Sequence, residues 1–307
     1  MMTGRFTVLL LLLSLIAACK PTPQSGGAAS SGTSGKPLVY VVNYPLKYFA
    51  ERIGGDLIDV HFPAPADEDP AFWTPSDEVV GAFQQASVIL MNGATYSKWA
   101  DKVTLPTAKV VDTSASFASS YIVTKSDVTH SHGPGGDHSH SGTAFTTWID
   151  FTQAISQAKA VHGALVKLLP KSATGLDANL TKLSEELRVL DERLKTVGRR
   201  MKGEPVVASH PVYQYFARRY EINLQAVLWE PETVPDEKAM TDLQAILAKH
   251  AAKWMIWEGD PAAESVAKLQ AIGVQSLVFS PSGNVPEKGD FMSVMQANVA
   301  ALEKAFP

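Results

Sequence analysis

Leu176, Leu180, Leu183, Leu187, Leu190, Leu194 and Val197 recur at alternating spacings of four and three residues. Only an α-helix gathers such a series onto one face, because its 3.6-residue turn stacks positions i, i+4 and i+7 in a single stripe. The seam implies a helix of about 25 residues, roughly 35–40 Å long at 1.5 Å per residue. So long an apolar stripe needs a partner along its whole length. A coiled coil is one solution, although three heptads barely suffice for it. The flanking sequence favours another.

On both sides of the seam, short β-branched runs alternate with amphipathic segments. Before it come the strand-like runs "LVYVVNY", "LIDVHF", "SVILMNG" and "AKVVDTS". Between them lie "YPLKYFAERIGG", "TPSDEVVGAFQQA" and the short "YSKWADKV", which read as helices. In the second of these, Thr74 is the expected N-cap, with Pro75 at the first helical position and Asp77 in the first turn. Trp148–Pro170 reads as a further helix that stops at its proline. After the seam, "PVVAS", "NLQAVLW", "KWMIWE" and "VQSLVFS" alternate with "PVYQYFARRY", "PDEKAMTDLQAILAKH", "PAAESVAKLQAIG" and a closing helix "DFMSVMQANVAALEKAF". Alternation of this kind implies parallel sheets covered by helices. The expected fold class is α/β: two lobes, residues 37–147 and 204–307, each with a mainly parallel sheet. They are joined through a helical segment, 148–203, that contains one long linking helix.

The chain opens with Arg5, an apolar run Thr7–Ala18 too short to span a membrane comfortably, and small residues before Cys19. This is the composition of a secretory signal peptide, residues 1–18. Cys19 is the only cysteine, so neither an internal disulfide nor a cysteine metal site is available. Residues 19–36, rich in Ser, Gly and Pro, read as a flexible tether. A formal net charge of −4 gives no general case for nucleic-acid binding. There is no Gly-x-Ser-x-Gly elbow, no His-Glu-x-x-His and no cysteine nucleophile, so no catalytic residue is expected and the chain does not read as an enzyme.

Ligands of open α/β sheets bind beyond the carboxyl ends of the strands. His210 follows "VVAS" there, and Glu258 follows "KWMIW". Glu230 follows "AVLW" and reads as a loop acid. In the first lobe, Asp67, Glu68 and Asp69 follow "DVHF", beside Phe72 and Trp73. The strongest chemical signal is "THSHGPGGDHSHSG", residues 129–142, which holds four of the chain's eight histidines: His130, His132, His138 and His140. Neutral imidazole is the commonest ligand of borderline metals. The intervening Gly133, Pro134, Gly135 and Gly136 let both His-x-His pairs turn toward one ion, and Asp137 could add a carboxylate. Without thiolates the candidate metals are zinc, copper(II), nickel, cobalt or manganese. His61, His162 and His250 fall inside a strand or helices and read as structural.

Together the "IAAC" segment, "PADEDP", "TPSD", "ILMNGATYSKW", the His-rich insertion, "TWID", the long helix and "SHPVYQYFARRY" make a pattern that covers the whole mature chain. The chain resembles the zinc/manganese-type solute-binding lipoproteins of bacterial ABC importers. The resemblance implies lipidation at Cys19, an extracytoplasmic, membrane-anchored location, and delivery of a divalent metal to an ABC permease and its ATPase. Zinc is the expected metal, with manganese or another divalent ion as alternatives. In that family the ligands are usually a histidine from each of three segments plus a carboxylate or water. His210 fits the second-lobe histidine. Ala71, Thr146 and Ser280 stand where other ligands are expected. Either tight metal binding is lost, leaving a surface lipoprotein or adhesin or a metal buffer, or other residues supply the site. Candidates are His130, His132, His138 and His140 folding into the cleft toward His210, with Glu68, Asp69 and Glu258 adding carboxylates. The loop would then be part of the primary site rather than an exposed collector of ions.

Overall fold

The computed structural model describes residues 35–124, 129–131, 137–139 and 142–307, together with Met1, and at 129–131 and 137–139 the backbone alone. The proposed signal peptide, Cys19 and nearly all of the tether lie outside the described residues. No helix among the described residues is long and apolar enough to cross a membrane.

The first sheet is built from β1 (Leu38–Val41), β2 (Asp59–His61), β3 (Val88–Met91) and β4 (Val110–Asp112), all parallel, in the order β2-β1-β3-β4. Helices α1 (Tyr44–Gly54) and α2 (Asp77–Gln85) follow β1 and β2. Thr74 is not the cap of α2. Ser76 remains extended at φ −68°, ψ 163° and its side chain accepts from the Val79 amide, so the helix starts two residues later, with Asp77 and Glu78 in its first turn. That register places both acids against the positive end of the helix dipole. The expected short helix around Trp99 is a 3₁₀ turn, Lys98–Lys102. A pair β5 (Val123–Thr124) and β8 (Gly142–Thr143) encloses a second antiparallel pair, β6 (Thr129–Ser131) and β7 (Asp137–Ser139).

Helix α3 (Phe151–Leu168) starts three residues later than the sequence pattern suggests, because the Asp150 side chain caps it by accepting from the amides of Thr152 and Gln153. The leucine seam forms α4 (Ala173–Met201), 29 residues long, which ends where Lys202 turns left-handed at φ 50°. Leu176, Leu183, Leu187, Leu190, Leu194 and Val197 are buried, and Leu180 is partly so. The seam's partners lie within the chain. Helix α4 packs on α1 and α3, and also on α5 (Gln214–Tyr220) and α8 (Phe291–Ala305), so it ties the two sheets into one hydrophobic core. Bidentate pairs brace both halves: Arg52 with Glu186 toward α1, and Arg193 with Glu303 toward α8.

Close approach of α4 to α5 depends on Gly198. A Cβ there would lie 2.1 Å from the Tyr220 carbonyl oxygen, which is backbone and cannot swing away. Gly198→Ala is therefore expected to destabilise the protein by about 1–3 kcal/mol, in spite of alanine's better helix propensity. Denaturant unfolding measures this; a stabilised variant would contradict the packing described.

The second sheet repeats the first. Strands β9 (Pro205–Ala208), β10 (Asn223–Ala226), β11 (Trp254–Trp257) and β12 (Gln275–Val278) run parallel in the order β10-β9-β11-β12. Helices α6 (Glu237–Leu247) and α7 (Ala263–Ala271) cover it together with α5 and α8. In both sheets the chain moves outward in opposite directions from the first strand, so the loops after the first and third strands flank a topological switch point. The two switch points are filled differently. In the first lobe Asn43 follows β1 and Asn92 follows β3; their buried amides pair at 3.0 Å, and Gln157 donates to both Asn92 and Thr113 at 3.1 Å. In the second lobe the corresponding residues are ionisable.

Candidate metal centre

His210 leaves the end of β9 and Glu258 the end of β11, the two strands that flank the second switch point. Glu230 arrives from the other side, beyond β10. The ladder between β10 and β9 continues past the strand ends, through Val227 N to Ala208 O at 2.9 Å and Trp229 N to Ser209 O at 2.8 Å. Ser209, fully buried, knits the three loops together: its amide donates to Ile256 O at 2.8 Å, and its hydroxyl accepts from the Glu258 amide at 3.4 Å. As a result His210 Nδ1 lies 3.4 Å from Glu258 Oε1 and 4.0 Å from Glu230 Oε1. Among the described residues these three form the group of side chains whose donor atoms fall within 4.8 Å of one another.

The spacing suits one ion. Two donors each about 2.1 Å from zinc at a tetrahedral angle are about 3.4 Å apart. The His210 ring is 1% exposed and therefore fixed, whereas Glu230 and Glu258 keep 26% and 21% of their side chains in solvent and can adjust. Burial, followed by the negative charges of Glu230, Asp69 and Glu232, holds the Glu258 carboxyl well above the usual carboxylate range. A cation between the carboxylates removes that penalty, so the site is electrostatically poised to accept one.

The remaining expected residues are placed as follows. Asp69 lines a cavity of about 410 Å³ that opens beside Glu258; its Oδ1 accepts from the Ala71 amide at 2.8 Å. Glu68 is exposed on the same loop and contributes its carbonyl to Asn284 Nδ2 at 2.8 Å. Neither belongs to the cluster around His210. His130 and His138 are Cα partners in the antiparallel β6–β7 pair, so the chain does fold back as the glycines suggest. His132 and His140 lie outside the described residues. Ala71 is buried in the core, and the Ser280 backbone pairs with the Asn298 amide at 3.0 and 2.7 Å. Thr146 donates to Val212 O at 2.6 Å across the cleft, with Tyr215 donating to Ala144 O at 2.8 Å and Trp148 to Pro281 O at 2.7 Å. Of the three positions without a metal donor, Thr146 thus joins the lobes directly. His61 stacks on Tyr40, His162 lies 2.7 Å from Asp177, and His250 is buried 2.8 Å from the Val206 carbonyl oxygen, all structural contacts.

Glu230 is the addition to the expected set. Its signal was its place after a strand adjacent to β9, which only the strand order reveals.

Comparison with known proteins bears on the fold and the family. The family described as "Zinc-uptake complex component A periplasmic" (ZnuA) matches residues 39–305. The manganese ABC transporter substrate-binding lipoprotein PsaA of Streptococcus pneumoniae is 27% identical over 305 residues, covering 95% of this chain and 94% of the relative. The iron ABC transporter substrate-binding lipoprotein MtsA of Streptococcus pyogenes serotype M1 is 24% identical over 289 residues, covering 90% and 87%. The crystal structure of the Zn(II)-bound ZnuA-like domain of Streptococcus pneumoniae AdcA shares the fold with a TM-score of 0.74 at 20% identity, covering 89% of this chain and 99% of that domain. With a match spanning nearly all the residues that follow the tether, the chain belongs to the ZnuA family of metal-binding, substrate-binding proteins of ABC importers.

Proposed function

We propose that this chain captures a divalent transition metal, zinc first, at His210, Glu230 and Glu258 and delivers it to an ABC permease driven by its ATPase. The observation that carries this reading is the convergence of one imidazole and two carboxylates at the switch point of the second sheet. One imidazole with two carboxylates tolerates zinc, manganese and iron alike. The four imidazoles of residues 129–142 tip the choice toward zinc, and one of them suffices as the fourth donor of a tetrahedral ion. In this reading His130, His132, His138 and His140 act at the primary site, and Asp69 and Glu68 shape the field around it. Residues 1–18 direct export, Cys19 carries the lipid anchor, and 19–36 tether lobes 37–147 and 204–307, with 148–203 between them, on the outer side of the membrane. The protein binds and hands over; it needs no chemical step.

Calorimetric titration with zinc, manganese and iron(II) tests this. Sub-micromolar binding of zinc at neutral pH is expected. Affinity falls as pH drops through the imidazole range near 6.5, because protons compete for the donors. Absence of sub-micromolar binding to any of the three metals would sink the importer reading. It would favour a surface lipoprotein or adhesin on the same scaffold, for which the alanine, threonine and serine at positions 71, 146 and 280 speak. Weak binding of several ions, unaffected at His210, would mark a metal buffer.

A further inference from the structure

The loop that follows β12 crosses the cleft. Residues 281–284 leave the second sheet and bond to earlier parts of the chain at three places. Trp148 Nε1, just ahead of α3, donates to Pro281 O at 2.7 Å. The Tyr44 amide, at the start of α1, donates to Gly283 O at 3.0 Å. Asn284 Nδ2 donates to Pro65 O at 2.7 Å and to Glu68 O at 2.8 Å, and its Oδ1 accepts from the Val285 amide at 2.7 Å. Ser282, between the first two anchors, is left-handed at φ 55°. A non-glycine residue keeps that conformation only where its surroundings fix it.

Two of the anchors answer local needs in the first lobe. Within the first turn of α1, Pro45 has no N–H, and the Leu46 and Lys47 amides go to the Asn43 side chain and carbonyl at 3.1 and 3.2 Å. The Tyr44 amide is the helix-start donor that remains, and the Gly283 carbonyl caps it. The turn Pro65–Glu68 is closed by a long bond, Glu68 N to Pro65 O at 3.4 Å. Such a bond is weak, so Asn284, which bridges both ends of the turn, does more to fix it. Asp69 follows the turn directly, lines the same cavity as Asn284 and Glu258, and its charge reaches Glu258. Like charges facing each other across a cleft push its walls apart. The strap 281–284 pulls the same walls together.

We infer that Asn284 is a positioning residue for metal capture: its two bonds hold the acidic turn, and Asp69 with it, against the second lobe whether or not metal is present. Lifting of this strap then sets how fast the ion enters and leaves. The inference deepens the proposed function. Its kinetic half rests on His210, Glu230 and Glu258 holding a metal, whereas the strap itself does not.

Hydrogen exchange and stopped-flow kinetics on the full-length protein in detergent test the two halves separately. In the metal-free protein, Asn284→Ala is expected to speed exchange of the Tyr44 amide about 5–100-fold, the range that two ordinary hydrogen bonds imply. Mass spectrometry on overlapping peptides reads it. Amides inside α4 should keep their wild-type protection; loosening there as well would mean general destabilisation and overturn the strap. Asn284→Asp is the second variant. It keeps the shape, loses both donors and sets a carboxylate against two carbonyls, so its effect should equal or exceed that of alanine. Zinc association and dissociation, followed with a fluorescent zinc indicator, should both quicken. A contact made equally in both states shifts no equilibrium, so Kd should move by less than about threefold. Unchanged Tyr44 exchange in both variants overturns the strap. Faster exchange with unaltered zinc kinetics overturns its role in metal exchange, as does faster dissociation alone with Kd weakened in step, which would make Asn284 a prop of the metal site. If the wild-type protein binds no zinc, the proposed function fails, and Tyr44 exchange still decides the strap.

Discussion

His210→Ala is expected to reduce zinc affinity by more than the about 10–100-fold that loss of an outer-shell partner causes. The reason is geometric. Of the three clustered donors only His210 is fully enclosed, and its Nδ1 is the point that both carboxylates approach, at 3.4 and 4.0 Å. Without it the cluster among the described residues keeps two partly exposed glutamates, a donor set that by itself is better matched to magnesium or calcium than to zinc. Zinc selectivity over magnesium is therefore expected to fall along with affinity. Competition titration with a chromogenic chelator reads both. The control is the unfolding transition of the metal-free protein, which reports the separate cost of emptying a buried ring site. Zinc affinity within threefold of wild type would move the site elsewhere, most directly onto the histidines of residues 129–142.

Much of this architecture can be read from the residues because it depends on local periodicity. The leucine seam has one physical solution, and the helix it predicts is present with six of its seven members buried. The strands are legible for the same reason. Helix starts are less so. Thr74 and Ser76 are both good caps two residues apart, and the choice turns on where Ser76 leaves the extended region. His210 stands out because it follows a strand immediately. Glu230 does not: "AVLW" looks like continuous strand, and its proximity to His210 arises only because β10 lies beside β9 in the sheet order. The long-range part of the site thus rests on topology, which a linear pattern does not encode.

The two sheets share one strand order, yet the equivalent positions hold opposite chemistry. Asn43 and Asn92 close the first switch point with neutral amides that satisfy one another. His210 and Glu258 flank the second with groups that a neutral network cannot satisfy. Asp69 brings a carboxylate from the first lobe to the cavity beside Glu258, so the ionisable groups gather at the cleft and not at the first lobe's own switch point. Contacts across the cleft, such as Thr146 to the Val212 carbonyl and Asn284 to the carbonyls of Pro65 and Glu68, hold the two walls in register.

Glu258→Gln tests whether this charge is carried at a cost. Burial and the charges of Glu230, Asp69 and Glu232 raise the Glu258 pKa, so the folded, metal-free protein disfavours the ionised form relative to the unfolded chain. For a carboxyl whose folded pKa exceeds its unfolded one, the penalty is absent well below the unfolded value of 4.5. It grows as pH rises through that value and is complete above the folded pKa. Glutamine is nearly isosteric and uncharged. The variant is therefore expected to be more stable than wild type at pH 7 without metal, by about 0.5–2 kcal/mol. That corresponds to about 2–4 °C in Tm for each kcal/mol in a chain of this size. The gain should vanish near pH 4. Zinc should reverse the order, because wild type gains RT ln(1 + [Zn]/Kd) from its tighter site and the variant gains less. Thermal melts with and without zinc across this pH range read both effects. A variant no more stable than wild type when metal-free at neutral pH, or one stabilised equally by zinc, would show that Glu258 is neither strained by its neighbours nor a donor to the ion.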